Sequence, residues 1–376
     1  MDEFSREARA TLELSLCEGV SSGTIFSLVE HFGSAVEALE AAPQALQEVN
    51  GIGPTTAASI RRGPDAGAVE KELDLMERHR VRLVPFFSPD YPAPLKHLDR
   101  GAPALLRIKG DYRREDQLAV AIVGARRCTR YGRGQAGRMA SDLTSMGFTV
   151  VSGMAWGVDS AAHRGALRAG GRTLAVLGCG LAHQLSPDDR RLAEEIVASG
   201  AVVSELPMEA PPLAQNFPPR NRIISGLSLG VVVVEAARRS GSLITAGHAG
   251  EQGKPVFAVP GDVTSPVSRG CHALIRDGAI LVENARDVVE GLGPLSEPIE
   301  LPDPGEEAIQ TVEDARVMAM NDREKQIYEM LGSRAMHIDD VIGRTGLPAS
   351  IVSSTLLTLE IRGLIQQVSG QRYLRG

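Results

Sequence analysis

The chain has 376 residues, 43% of them hydrophobic and 23% charged, a composition that suits two or three soluble globular domains. No apolar run approaches the roughly 18 residues that a membrane span needs, and the acidic, amphipathic N-terminal stretch does not resemble a signal peptide. The four cysteines are scattered, with no CxxC and no metal-ligand spacing. This usage favours a cytoplasmic location and argues against a zinc site.

The formal net charge of −7 is distributed unevenly along the chain. Residues 1–117 carry 14 basic and 19 acidic groups, and residues 293–321 carry one basic and seven acidic groups. Residues 118–292, in contrast, carry 18 basic and 15 acidic groups. The mildly basic central part is therefore compatible with a nucleic-acid partner, because the local balance of charge matters more than the sum.

Residues 1–80 predict a helical domain. Apolar periodicity indicates short helices near Glu7–Cys17, Ser22–His31 and Ser34–Leu39. Between Leu46 and Arg62, two amphipathic helices joined by Gly51-Ile52-Gly53 resemble a helix-hairpin-helix motif of the SAM-like kind. The glycines permit the tight turn, and amides at the start of the next helix can reach a DNA phosphate. The region is net acidic, so a purely structural role and a DNA contact both stay open.

A proline-rich segment follows the helical domain. Five prolines between Val81 and Arg114 exclude long helices there. We therefore predict an extended connector over residues 81–117, with one short strand near Leu105–Lys109.

Residues 118–292 alternate apolar strand candidates with amphipathic stretches. The strand candidates are 119–124, 149–152, 173–178, 201–204, 230–235, 255–259 and 279–282. This rhythm predicts right-handed βαβ units and an α/β fold with a doubly wound parallel sheet, an extended Rossmann-like domain. In such sheets ligands bind at the carboxyl ends of the strands, where helix N-termini present free amides to anions.

The loop after the first of these strands is rich in arginine. Gly124 ends the strand, and Arg126, Arg127 and Arg130 follow with no acidic residue before Asp142. Several guanidinium groups at the rim of a sheet predict a phosphate-binding site. The alternative is a solvated, arginine-rich start of a helix.

The loops after the second and third strands contain residues that could be catalytic or bind a cofactor, but each of them also has an ordinary structural explanation. Asp159 and His163 lie four residues apart on one helix face and could form an acid–base pair, but a capping Asp and a packed His are favoured. Gly178 and Gly180 begin a dinucleotide-like pattern, yet His183 stands where that pattern needs its last glycine. A nicotinamide cofactor is therefore not predicted.

Two later loops add groups that suit a bound nucleic acid. Phe217 lies between prolines and is followed by Arg220 and Arg222 at a helix start, so a base could stack on the ring while guanidinium forks bind phosphates. The alternative is a Phe that plugs the loop onto the core. Ser240-Gly241-Ser242 opens another helix, where amides and hydroxyls would form an anion nest.

The C-terminal part predicts a linker and a small domain. Residues 293–321 are acidic and proline-rich, as in a flexible linker, and residues 322–376 predict three helices and a two-stranded wing, a winged-helix domain. The helix that would read DNA, Ala349–Ile361, has no basic residue and one acid, Glu360; Arg362 follows its end. We therefore expect a protein-interaction module or a weak DNA contact.

Several phrases in one order resemble the DNA-processing protein A family (DprA, also called Smf). They are IVGARRCTRYG, VVSGMAWGVDSAAHRGAL, SELP, FPPRNRIISGLS, EAARRSGSLITA, VFAVPG and GCHALIRDGA, which span about residues 118–283. The resemblance implies a cytoplasmic bacterial protein that binds single-stranded DNA, protects incoming DNA in natural transformation and loads the RecA recombinase. It also implies a homodimer, expected here through residues 270–292, with no catalysis, cofactor or metal.

Carried over by motif, Arg126 would be the main phosphate contact, Phe217 with Arg220 and Arg222 would line the path of the strand, and Ser240–Ser242 would complete the anion pocket. The candidate DNA-binding residues are Gly124, Arg126, Arg127, Arg130, Phe217, Arg220, Arg222, Ser240, Gly241 and Ser242. The sequence departs from the family pattern at Ala125, where Ser is usual, and at Gln215, near the place of a family lysine. It also departs over residues 180–187, where the family has GLDxxYP, and at His272, where Asn is usual.

A second function stays open, that of a nucleotide-processing enzyme related to the cytokinin-activating phosphoribohydrolases. That family carries a PGGxGTxxE phrase. The only similar phrase here, Pro260-Gly261-Asp262-Val263, lacks the second glycine and the glutamate.

Overall fold

The structure is a computed structural model that describes residues 3–98, 101–293, 322–332, 336–361, 364–368 and 372–375. The chain forms two compact units, Met1–Gly291 and Leu292–Gly376. The helices of the first unit are α1 (Glu3–Leu16), α2 (Ser22–Phe32), α3 (Ala35–Glu40), α4 (Pro43–Glu48), α5 (Pro54–Arg62), α6 (Ala68–His79), α7 (Ala93–Lys96), α8 (Arg130–Ser145), α9 (Val158–Arg168), α10 (Pro187–Ser199), α11 (Phe217–Gly226), α12 (Ser242–Glu251), α13 (Arg269–Arg276) and α14 (Ala285–Gly291). Its strands are β1 (Val81–Pro85), β2 (Leu105–Gly110), β3 (Ala119–Val123), β4 (Thr149–Ser152), β5 (Thr173–Val176), β6 (Ala201–Ser204), β7 (Gly230–Val233), β8 (Val256–Ala258) and β9 (Ile280–Leu281).

One sheet of nine strands organises the first unit, in the order β1-β2-β6-β5-β4-β3-β7-β8-β9. The strands from β3 to β9 pair in parallel, as their predominantly apolar sequences predict. The chain runs outward from β3 to β6 and then returns to place β7 on the other side of β3. The predicted doubly wound α/β sheet is confirmed, and its direction reverses between β3 and β7.

The structure corrects the prediction of an extended connector over residues 81–117. Val81–Pro85 forms an edge strand, β1, that pairs antiparallel with β2, and β2 pairs antiparallel with β6. Pro85 is compatible with this strand because an edge position does not need every backbone N–H. The segment therefore belongs to the sheet. Its many prolines are the reason why the first of its two strands was not predicted.

The N-terminal helices pack around a core of their own. Leu14, Leu28 and Leu46 are fully buried there. The predicted hairpin is formed by α4 and α5, and Gly51 in the connecting turn has φ of 87°, a left-handed value that favours glycine. A buried ion pair joins this part to the sheet, since Arg107 Nε on β2 donates to Glu72 on α6 at 2.6 Å.

The second unit has the elements of a winged helix. Its elements are α15 (Asp322–Met330), β10 (Met336–His337), α16 (Ile338–Thr345), α17 (Ala349–Ile361), β11 (Ile365–Val368) and β12 (Arg372–Arg375), with the strands in the order β10-β12-β11. Val352, Leu356 and Leu359 of α17 are buried in its core. The predicted linker lies, from residue 294 onward, outside the described residues, as does Arg362. Among the described helices, none is long and apolar enough to cross a membrane.

Candidate nucleic-acid interface

The carboxyl ends of the parallel strands bring several loops together at one edge of the sheet, here called the rim. The loops after β3 and β4 pack backbone against backbone, because a Cβ placed on Gly157 would lie 2.3 Å from the carbonyl oxygen of Ala125 and 2.5 Å from that of Arg126. Gly157 also has φ of 95°, so glycine is required there twice over. At Gly124, a Cβ would lie 2.6 Å from the Val158 side chain, which explains the glycine at the end of β3.

Three residues predicted from two separate motifs meet at the rim, and we call them the Arg126 cluster: Arg126, Phe217 and Arg220. The guanidinium carbon of Arg126 lies 4.9 Å from the centroid of the Phe217 ring, and that of Arg220 lies 5.6 Å from it. Both distances fall within the range of a cation–π contact. The half-buried ring also packs on Gly178, where a Cβ would lie 2.9 Å from Phe217 Cδ1. Phe217 thus rests on the core, as the structural alternative predicts, and also brings two cations together.

Arg220 is the buried member of the cluster, with 6% of its surface exposed. Its Nη1 donates to the carbonyl oxygens of Gly153, at 2.9 Å, and Val176, so it ties the ends of β4 and β5 together. Burial lowers the pKa of Arg220 to about 10, with Asp159 opposing and Arg126 adding to the shift, so the group stays charged at neutral pH. Among the described residues, none accepts a hydrogen bond from its Nη2. That nitrogen is therefore the part of Arg220 left for an anion.

Asp159 and His163 do not form an acid–base pair among the described contacts. Asp159 accepts hydrogen bonds from the amides of Gly153, at 3.2 Å, and Ala155, at 3.3 Å, and burial raises its pKa to about 6. His163 is fully buried, with Nδ1 2.7 Å from Thr173 Oγ1, and burial lowers its pKa to about 3. The packed His163 is as predicted. The prediction of a capping Asp159 is wrong, because α9 has Gly157 at its N-cap with no side-chain hydrogen bond, and the Asp159 carboxylate binds amides of the preceding loop.

The N-terminus of α8 is occupied by a carboxylate of the protein itself. Glu235, buried just after β7, accepts hydrogen bonds from Thr129 N at 2.8 Å and from Thr129 Oγ1 at 2.6 Å. Thr129 in turn caps the helix by accepting from Gly132 N at 3.1 Å. This helix end lies at the reversal between β3 and β7, where such sheets commonly bind phosphate. Since Glu235 fills it, the positive charge next to α8 comes from arginine side chains.

The remaining predicted residues differ in how far their polar groups are already paired within the protein. Arg127 and Arg130 are exposed, and both follow Arg126 closely in the sequence. Arg222 is paired with Glu205 through two hydrogen bonds of 3.0 and 2.8 Å. The Ser240–Ser242 turn is partly satisfied internally, with the Ser240 and Ser242 hydroxyl oxygens 2.8 Å apart. Its Gly241 carbonyl oxygen accepts from Asn221 Nδ2 at 3.3 Å, which joins this turn to the residue after Arg220.

One residue of the rim, Trp156, was missed by the sequence reasoning. It lies in the loop between β4 and α9 and is 67% exposed. Two features mark it in the sequence: it is the only tryptophan of the chain, and it lies in a loop bounded by glycines. In the described part of the chain, no group of three or more His, Cys, Asp and Glu side chains could hold a metal ion.

Comparisons with known proteins cover both units of the chain. A family model described as DNA recombination-mediator protein A matches residues 82–293, and the DprA winged helix domain matches residues 313–371. Protein Smf of Escherichia coli is 40% identical over 304 residues, 81% of this chain and 80% of that protein. Protein Smf of Synechocystis is 34% identical over 391 residues, 97% of this chain and 98% of that protein.

Solved structures give the same answer. DNA processing protein A from Streptococcus pneumoniae has a TM-score of 0.65 and 33% identity, covering 77% of this chain and 98% of that one. DNA processing protein A from Helicobacter pylori, described for its single-stranded DNA binding mode, has a TM-score of 0.50 and 29% identity, covering 56% of this chain and 95% of that one. The resemblance read from the motifs is confirmed: this chain belongs to the DNA recombination-mediator protein A (DprA) family.

Proposed function

We propose that this protein binds single-stranded DNA at the rim, protects incoming DNA during natural transformation and loads the RecA recombinase onto it. The observation that carries the DNA-binding part is the Arg126 cluster, in which two guanidinium groups lie against one aromatic ring. The Helicobacter pylori relative is described by its single-stranded DNA binding mode. Protection and recombinase loading rest on membership of the family, and a cytoplasmic location is part of the same proposal.

An unpaired strand suits this rim better than a duplex does. Backbone phosphates can contact Arg126 and the Nη2 of Arg220, while unpaired bases have faces free to stack on nearby rings. In a duplex those faces are hidden. The helix α17 offers no basic residue over Ala349–Ile361 to neutralise duplex phosphates, which also argues against the winged helix as the main site.

The proposal is one of binding without catalysis and without a cofactor. An enzyme of the phosphoribohydrolase kind would need an acid free to act on a nucleotide. Asp159 Oδ2 accepts hydrogen bonds from two backbone amides of the loop before α9. The two oxygens of Glu235 accept from the amide and the hydroxyl of Thr129. We expect Asp159→Asn and Glu235→Gln to retain single-strand binding, since neither removes a positive charge from the rim.

The homodimer is proposed to form through residues 270–292. Strand β9 ends the sheet, and its Ile280 and Leu281 are 39% and 48% exposed. An edge strand with apolar side chains needs a cover, and a second copy of the same edge supplies one. Sedimentation at micromolar concentration tests this proposal, and a monomer would contradict it.

A salt titration tests the DNA-binding proposal. Fluorescence anisotropy with labelled oligothymidine and with a blunt duplex of equal length gives the two affinities over a range of salt. If roughly 3–5 phosphates are neutralised, log K should fall with log[salt] at a slope of about −2 to −3.5 for the single strand. Equal or tighter binding of the duplex at the same salt would contradict the proposal.

A further inference from the structure

Trp156 is an exposed aromatic side chain on a loop whose backbone is held in place. Its loop contains Met154, a residue with φ of 55° that L side chains rarely adopt, and Gly157, with φ of 95°. The Asp159 carboxylate accepts hydrogen bonds from the amides of Gly153 and Ala155, and Ser160 Oγ donates to the Ala155 carbonyl at 2.7 Å. The strained backbone is thus fixed from both sides, so the indole is presented to solvent by an ordered loop.

The same loop touches both arginines of the Arg126 cluster. Gly157, next to Trp156, packs on the backbone of Arg126, and the Gly153 carbonyl accepts from Arg220 Nη1 at 2.9 Å. In the sheet, β4 lies between β3 and β5. The Trp156 loop therefore lies between the loop that carries Arg126 and the Gly178 turn on which Phe217 packs.

The two rings of this region differ in what already covers them. Phe217 has two arginines over its ring and Gly178 beneath it. The cation–π contacts found among the described residues do not involve Trp156. A base therefore finds the larger open aromatic face on Trp156, while Phe217 serves to hold the two guanidinium groups.

We propose that Trp156 is a base-stacking residue, on which one unpaired base of the bound strand lies beside the phosphate held by Arg126. This inference rests on the proposed function and adds to it a second kind of contact, uncharged and tolerant of base identity. Every base has a π-face, so stacking on an indole adds affinity without reading sequence.

Truncating the indole tests the inference. In the whole chain, Trp156→Ala should weaken oligothymidine binding by about 5-fold to about 150-fold, the range for losing one base–aromatic stack. The slope of log K against log[salt] should stay unchanged, because no charge is removed. Trp156→Phe should recover most of the loss. Phe87→Ala removes another exposed aromatic, beside the far edge strand β1, and should leave the affinity unchanged.

An abasic oligomer of the same length separates stacking from a structural effect. It keeps the phosphates and lacks the bases, so wild type and Trp156→Ala should bind it equally well. The intrinsic fluorescence of the wild type reports on Trp156 alone, since the chain has one tryptophan, and it should be quenched by oligothymidine and not by the abasic oligomer.

The possible failures are distinct. If the wild type shows no preference for single strands, the proposed function fails. If the wild type binds and Arg126→Ala weakens binding, while Trp156→Ala has no effect or weakens the abasic oligomer equally, only the stacking inference is overturned. A Trp156→Ala variant with unchanged DNA affinity and an altered sedimentation coefficient would overturn it as well, by assigning the ring to a protein contact.

Discussion

Replacing Arg126 with alanine should weaken single-strand binding and leave the protein folded. The side chain is exposed, and the packing of its loop against Gly157 is made by the backbone of Arg126. Exposed substitutions of this kind usually change the free energy of unfolding by no more than about 0.5 kcal/mol. A loss of affinity in this variant would therefore report on DNA contact and not on a damaged fold.

The size of the loss follows from the contact that is removed. A hydrogen bond to a charged group contributes about 1.5–3 kcal/mol, which corresponds to a loss of affinity on the order of 10-fold to 100-fold. Arg220 cannot compensate by gaining charge, because with a pKa of about 10 it is already protonated at neutral pH. One phosphate contact fewer should also make the salt slope less negative by about 0.7.

Fluorescence anisotropy with labelled oligothymidine at several salt concentrations measures both quantities. Arg168→Ala is the matched control in the same unit, because Arg168 is exposed in the last turn of α9, away from the rim. Arg344→Ala, at the exposed end of α16, is the control in the winged-helix unit. Each should change the affinity by less than about threefold. If Arg344→Ala costs more than Arg126→Ala, the winged helix and not the rim is the DNA site, and the reasoning is refuted.

Three further predictions concern stability and assembly. Glu72→Gln removes the carboxylate that is paired with the buried Arg107 and should cost about 3–5 kcal/mol in chemical denaturation. Asp74→Asn breaks an exposed pair on the same helix and should cost about 0.3–0.5 kcal/mol, and equal costs would contradict the burial argument. The folded pKa of Asp159, about 6, lies above its unfolded value, so its contribution to stability is present at low pH and is lost as pH rises through about 4 to 6. Asp159→Asn should flatten that fall in a pH series of melting curves, and an unchanged profile would exclude this source. Leu281→Lys places a charge on the edge strand and should give a monomer in sedimentation if β9 forms the dimer, whereas an intact dimer would place the interface elsewhere.

The fold was predictable because buried parallel strands leave a strong local signal. Runs such as Ala119–Val123 are wholly apolar, and all seven predicted strands of the parallel part are present. The first strand, Val81–Pro85, gave no such signal because it contains Arg82 and ends in proline. Local pattern thus predicts strands with an apolar run, including the edge strand β9, and fails at β1, where an arginine and a proline interrupt the run.

The site was predictable in its residue types and not in their pairings. Arg126, Phe217 and Arg220 meet as expected from motifs at the ends of different strands. The pairing of Arg222 with Glu205 joins two residues 17 positions apart across a loop, and no periodic pattern marks such a contact. Exposure likewise cannot be read from a sequence pattern, which is why the sequence did not place Trp156 at the rim.

The groups that supply the positive charge at the rim decide which kind of ligand the rim suits. A free nucleotide is commonly held by backbone amides at a helix N-terminus, where its phosphate is enclosed. Here Glu235 occupies the N-terminus of α8, and its carboxylate would repel a phosphate placed there. Of the arginines that remain, Arg126 is exposed on its loop. Arg220 is buried in the first turn of α11 and lies with Arg126 against the Phe217 ring. Charges arranged in this way support the proposed binding of a polymer, with a phosphate at each step across the rim, over the alternative of an enzyme that encloses a single nucleotide.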